Sequence, residues 1–189
     1  RPGGMDVLTP WKKLDGPWSV SNGRLLVTTN GLNNGNITNN HADVYVTNSW
    51  TDYSVEVRAS VPINGYGWAV CGRLNPVTGA RYEVFLYANF SPPQQWRLKL
   101  SKHVSWDRPA SWDGINLANQ TDFPLIVDTV DRTNLHVVKV TFQGNNIKVD
   151  FDGVERMSVD DDNFPHNGTP VPPFLSGGIL LGIYSTNNA

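Results

Sequence analysis

One cysteine in 189 residues leaves no internal disulfide to staple the fold. Cys71 sits inside an alternating apolar run, with no neighbouring thiol or histidine, and reads as a small buried thiol rather than a ligand or nucleophile. Charge is also scarce. Fifteen Lys and Arg against 17 Asp and Glu give a net −2, with pI ≈ 6.1 and no basic run, so the electrostatic footprint of a nucleic-acid binder is missing. No apolar stretch approaches the ~20 residues a helix needs to cross a bilayer. Helical periodicity is not sustained anywhere over three turns. The four histidines, His41, His103, His136 and His166, are scattered without a partner pattern.

Lacking staples, the chain must bury a core, and 189 residues suffice for that in one domain spanning 1–189. Arg1 is no translation start, so a processed or excised chain, carved from a larger secreted protein, is expected. Seven tryptophans, with many Asn, Gly and Thr and few Lys and Glu, suit a secreted β-protein better than a cytosolic enzyme.

The most informative stretch runs from Tyr66 to Leu100. Three runs in it, YGWAVCGRLN, ARYEVFLYA and QWRLKLSK, alternate with a period of two. Trp68 and Val70 oppose Ala69, Cys71 and Arg73. Tyr82, Val84 and Leu86 oppose Arg81, Glu83, Phe85 and Tyr87. Trp96, Leu98 and Leu100 oppose Arg97 and Lys99. Turn chemistry at Asn75-Pro76-Val77-Thr78-Gly79 and at Ser91-Pro92-Pro93 makes the three an antiparallel meander. The preceding run YSVEVRASV puts Val55, Val57 and Ala59 against Glu56 and Arg58.

Elsewhere the same pattern recurs. Trp18 and Val20 precede Asn22-Gly23 and Leu25 and Val27 follow it, a strong hairpin signal. Val44 and Val46 alternate with Asp43 and Tyr45 up to Trp50. Val138, Val140 and Phe142 face Ile147, Val149 and Phe151 across Gly144-Asn145-Asn146, and GGILLGIYS closes the pattern. Residues 101–134 read mostly as loop, carrying Trp106 and Trp112. The chain is therefore all-β, built as a two-sheet antiparallel β-sandwich.

Placing the run from Tyr53 in one sheet with the meander gathers Glu56, Arg58, Arg73, Arg81, Glu83, Arg97 and Lys99 on one face with Phe85 and Tyr87. Mixed charges of this kind commonly make a plain solvated surface. The prevalence of arginine, and the tryptophans nearby, favour a polar floor for a polyhydroxylated ligand. Sugar rings offer an apolar C–H face and a rim of hydroxyls, which aromatic platforms and fixed donors match. The candidate ligand residues are Glu56, Arg58, Arg73, Arg81, Glu83, Tyr87 and Arg97, with Trp106 and Trp112 as loop platforms.

The segments GPWSV, NSWTDYSVEVRASV, GYGWAVCGRLNPVTGARYEVFLYA, HVVKVTFQGNNIKVDFDGV and GGILLGIYS together resemble the concanavalin A-like (laminin-G-like) jelly-roll domains. Trp50-Thr51, Gly72-Arg73-Leu74-Asn75 and Asn163-Phe164-Pro165-His166-Asn167-Gly168 are similar to motifs in the lectin domain of galactocerebrosidase. The resemblance implies carbohydrate binding in a secreted protein, beside or within a glycosidase. It leaves open a glycoside hydrolase or polysaccharide lyase on the same fold, and a structural or adhesive domain. A hydrolase would need two carboxylates, for which Glu56 and Glu83 are the candidates; beside so many arginines an ion-pair lattice suits them better, and the Glu-x-Asp-x-x-Glu strand of laminarinase-like hydrolases is missing. A lyase would draw on Tyr87 and Arg81. Jelly-roll relatives often carry one structural Ca²⁺, and the acidic run at Asp160 and Asp162 is where such an ion is expected.

Overall fold

The computed structural model describes residues 8–27, 41–59, 65–89, 95–106, 115–120 and 135–185. Every regular element among them is a strand. In chain order these are β1 (Lys12–Asp15), β2 (Trp18–Ser21), β3 (Arg24–Val27), β4 (His41–Trp50), β5 (Tyr53–Ala59), β6 (Gly65–Leu74), β7 (Arg81–Asn89) and β8 (Gln95–His103). They continue with β9 (Ile115–Gln120), β10 (His136–Gln143), β11 (Asn146–Phe151), β12 (Val154–Asp160), β13 (Pro165–His166), β14 (Thr169–Pro170) and β15 (Gly177–Ser185).

The strands form a seven-stranded sheet in the order β1-β4-β15-β6-β7-β8-β9 and a four-stranded sheet in the order β12-β11-β10-β5. Hairpins β2–β3 and β13–β14 stand apart as two-stranded ribbons. The β6–β7–β8 meander is antiparallel throughout, as its turns predict. At the first turn Asn75 Oδ1 accepts from the N–H groups of Val77 (2.9 Å) and Thr78 (3.2 Å), and Gly79 takes a φ of +82°. Asn22 and Gly23 both have positive φ, the requirement of a tight two-residue hairpin turn, and Trp18 to Ser21 pair with Val27 to Arg24 around them.

The core lies between the two large sheets. Trp68, Val70, Tyr82, Val84, Leu86, Leu98 and Leu100 from one meet Val55, Val138, Val140, Phe142, Ile147, Val149 and Phe151 from the other. Each such side chain contributes ~1.5–3 kcal/mol on full burial, so this layer supplies the main drive to fold. The sheets approach closely at Gly72, where an added Cβ would lie 2.2 Å from the Phe142 ring.

Three sequence expectations need correction. β5 does not join the meander's sheet; it pairs with β10, Val57 opposite Val138 and Val55 opposite Val140, in the four-stranded sheet. Alternation assigns a residue to a face of its strand, but it carries no information about which sheet the strand enters. The stretch read as loop after Leu100 contains the end of β8 and all of β9, which closes the edge of the large sheet with Leu100 opposite Ala118. Third, Arg73 leaves the alternation. The ladder to β15 skips it, Gly178 facing Leu74 and Ile179 facing Gly72, and its φ is +51°. This bulge swings the guanidinium inward.

Candidate functional site

The outer face of the seven-stranded sheet is the face that the sequence pattern singles out, and directly opposed residues share it. One row across the sheet runs Tyr45, Leu180, Cys71, Glu83, Ser101; the next runs Asp43, Gly182, Ala69, Phe85, Lys99. Arg81 stands opposite His103, and Tyr87 opposite Arg97.

At the centre is a buried charge lattice. Glu83 Oε2 lies 3.4 Å from Arg81 Nη2, 3.5 Å from His103 Nε2 and 3.9 Å from Cys71 Sγ. Arg81 Nη1 also donates to the carbonyls of Gly79 (3.0 Å) and Ser105 (3.2 Å), which fastens the β6–β7 turn to the segment after β8. Burial pushes the Cys71 thiol well up, with the charge of Glu83 adding to it, so it is an inert thiol as its sequence context suggests.

Aromatic side chains stand around this lattice. Tyr45, Tyr87 and Trp106 are half-buried and pack on the Ala69, Cys71, Leu74, Phe85, Leu180 cluster. Phe85 and Tyr87 stack with centroids 5.2 Å apart and planes at 18°; Tyr45 and Trp106 meet edge-on at 6.1 Å. Trp106 lies against Gly79, where a Cβ would fall 2.5 Å from its ring. Lys99, half-buried, shares this face.

The expected ligand residues therefore separate. Arg81, Glu83, Tyr87 and Trp106 come together, but Arg81 is 0% and Glu83 2% exposed, so they lie beneath the surface as an ion-pair lattice instead of presenting open forks. Arg97 has the right register beside Tyr87; its side chain, and all of Trp112, lie outside the described residues. Glu56 and Arg58 are on the exposed outer face of the other sheet, where Glu56 lines a shallow groove of about 570 Å³ with Lys139 and Asp150. Glu56 and Glu83 thus occupy opposite outer faces of the sandwich and cannot flank one glycosidic bond.

Arg73 is a structural residue. It is 1% exposed and donates to the carbonyls of Gly144 (2.5 Å), Phe174 (2.6 Å) and Thr51 (3.2 Å), with its guanidinium over Phe142. Burial lowers its pKa from the usual range. Tyr53 is tied to the same corner: its hydroxyl accepts from Arg73 N–H (2.6 Å) and donates to Gly178 O (3.0 Å), and burial raises its pKa to about 12.

In the acidic run, where Ca²⁺ is expected, each aspartate has a protein partner. Asp160 Oδ1 accepts from Asn146 Nδ2 (2.9 Å) and Asp162 Oδ1 from Asn145 Nδ2 (3.2 Å), while Asp161 between them is buried. Asp161 already has a cation: Lys102 Nζ is 2.6 Å from its carboxylate and also donates to Val171 O (2.7 Å) and Pro172 O (2.9 Å). Tyr82 donates to the same carboxylate at 2.5 Å. Among the described residues no three His, Cys, Asp or Glu side chains converge as a metal site.

His103 and Tyr45 were not among the sequence candidates. His103 was within reach, because counting outward from Ser91-Pro92-Pro93 puts it opposite Arg81. Tyr45 was not, since β4 arrives through β15 from the far end of the chain.

No protein-family model and no curated protein sequence matches the chain. Solved structures do. The carbohydrate binding module CBM66 from Bacillus subtilis superposes with a TM-score of 0.65 at 15% identity, over 94% of this chain and 89% of that one. The fold is the concanavalin A-like jelly roll. A Crh5 transglycosylase (TM-score 0.57, 14% identity) shares this jelly roll over 96% of this chain and 66% of its own. The laminarinase catalytic domain of Thermotoga maritima (0.53, 13%) shares it over 78% and 59%. The common element at these identities is the jelly-roll scaffold itself.

Proposed function

We propose that this jelly roll is a glycan-binding module whose ligand lies on the outer face of the seven-stranded sheet. The observation that carries the reading is the half-exposed set Tyr45, Tyr87 and Trp106, with Lys99, held over a buried charge lattice. Aromatic faces take the C–H side of a sugar ring, while phenol, indole and ammonium groups meet its hydroxyls. Arg81, Glu83 and His103 act beneath as positioning residues that fix the platforms. The reading is supported by the likeness in fold to a carbohydrate binding module and to a transglycosylase that was also solved with NAG. As part of the same proposal, the domain belongs to a secreted protein, next to a glycan-active partner domain.

The test is a glycan array followed by calorimetry on the wild type and on Trp106→Ala, Tyr87→Ala and Arg58→Ala. Each aromatic variant is expected to weaken binding about tenfold, ~1.4 kcal/mol, and Arg58→Ala to leave it unchanged. A reducing-sugar and unsaturated-product assay on the same glycans runs alongside. Binding that ignores both aromatic substitutions, or turnover in place of binding, would overturn the reading.

A further inference from the structure

The two large sheets are unequal, and the mismatch leaves a groove. β5 ends the four-stranded sheet and, among the described strands, is bonded along one side only, to β10. The seven-stranded sheet extends beyond it through β15 and β4, whose inner face is covered by the separate hairpin β2–β3. Between β5 and that hairpin runs a groove of about 700 Å³. Trp68, Leu181 and Ile183 form its floor; Val57 and Ala59 form one wall, and Leu25 and Val27 the other. Except for Trp68, these inward-facing side chains are only half-buried, whereas their counterparts under β10 and β11 are sealed.

An edge strand beside a trough of half-covered apolar side chains is the setting for an added strand. The outward N–H and C=O groups of β5 supply a ladder, and the floor takes every second side chain of the newcomer. Trp18 and Trp68 also line the groove, and their buried indole N–H groups have no acceptor among the described residues. The charged residues at its rim are Arg24 and Arg58, both exposed, and no carboxylate among the described residues lines it.

We infer that this groove is a strand-binding slot for an extended segment of a partner polypeptide, apolar at alternate positions and acidic on its outer side. The slot is independent of the glycan reading, because it opens on the sandwich flank and uses none of Tyr45, Tyr87 or Trp106.

The probe is a synthetic peptide of seven residues, the length of β5, alternating valine with aspartate and threonine. Hydrogen exchange over Tyr53–Ala59 is expected to slow about tenfold or more on binding, with a change in tryptophan emission. A lysine-for-aspartate peptide should bind at least about tenfold more weakly, and Arg58→Glu, an exposed substitution that leaves the core alone and sets a carboxylate beside Arg24, should remove most of that preference. A backbone N-methylated peptide should not bind. Absence of exchange protection at β5, or equal binding of the N-methylated peptide, overturns the inference. So does displacement of the peptide by a soluble glycan, or a dimer formed by the chain alone, which would make a second copy the occupant.

Discussion

At the scale of single residues, Arg73 and Tyr53 carry more of the architecture than their types suggest. Arg73 gathers three carbonyls from three separate segments. Arg73→Ala takes the donor from three part-buried carbonyls and empties the buried site of the guanidinium over Phe142, so unfolding by urea should show a loss of roughly 3 kcal/mol, while any residual glycan affinity of the folded protein is unchanged. Tyr53 gives a pH prediction. Its pKa is about 12 in the folded chain and 10.0 when unperturbed, so from pH 10 upward the folded state holds the phenolic proton more firmly than the unfolded one. The stabilising contribution is fully present below pH 10 and is lost as pH rises through 12. The thermal midpoint should fall across that window, and Tyr53→Phe, lower at neutral pH for want of its two hydrogen bonds, should fall less steeply. Equal slopes in the two proteins would remove Tyr53 as the cause.

At the scale of elements, the segment between β12 and β15 is pinned to the sandwich by one buried ion pair. Lys102 from β8 meets Asp161 and two carbonyls, with its ammonium 4.9 Å from the Phe174 ring centre. Removing one partner leaves a buried charge, so Lys102→Met or Asp161→Leu alone should cost about 3–5 kcal/mol, and the double replacement much less. A double-mutant cycle in urea measures the difference. Since Lys102 supplies the positive charge there, chelator should leave the melting temperature unchanged. The elements themselves were largely legible before the structure. Alternation and turn chemistry located β2, β3, β6, β7, β10, β11 and β15, because each is a local pattern bounded by Gly, Asn or Pro. What failed was non-local. β5 shows the same alternation as β6, and only its partner β10, some eighty residues on, decides its sheet. The bulge at Arg73 was equally hidden, since Gly72-Arg73 alternates normally in sequence while the ladder to β15 does not.

At the scale of the whole molecule, the candidate residues were half visible in the chain: alternation puts Arg81, Glu83 and Tyr87 on one face of β7, and Trp106, named only as a loop tryptophan, packs on that face, whereas Glu56 and Arg58 belong to the opposite outer face. That separation lets two surfaces be tested in one protein. A ligand that binds only the folded state raises stability by RT ln(1 + [L]/Kd), so a saturating glycan at a hundredfold its Kd adds about 2.7 kcal/mol and raises the melting temperature. Trp106→Ala, on the outer face of the large sheet, should cut that rise by about half, the tenfold loss of affinity leaving about 1.4 kcal/mol, because it removes a platform and loosens Tyr45 beside it. Arg58→Glu, on the outer face of the small sheet, should keep the full rise. Scanning calorimetry of the three proteins with and without glycan reads all of this. A rise lost equally in both variants would mean that the two sheets respond as one unit, and the assignment of sugar to the Tyr45, Tyr87 and Trp106 face would fall.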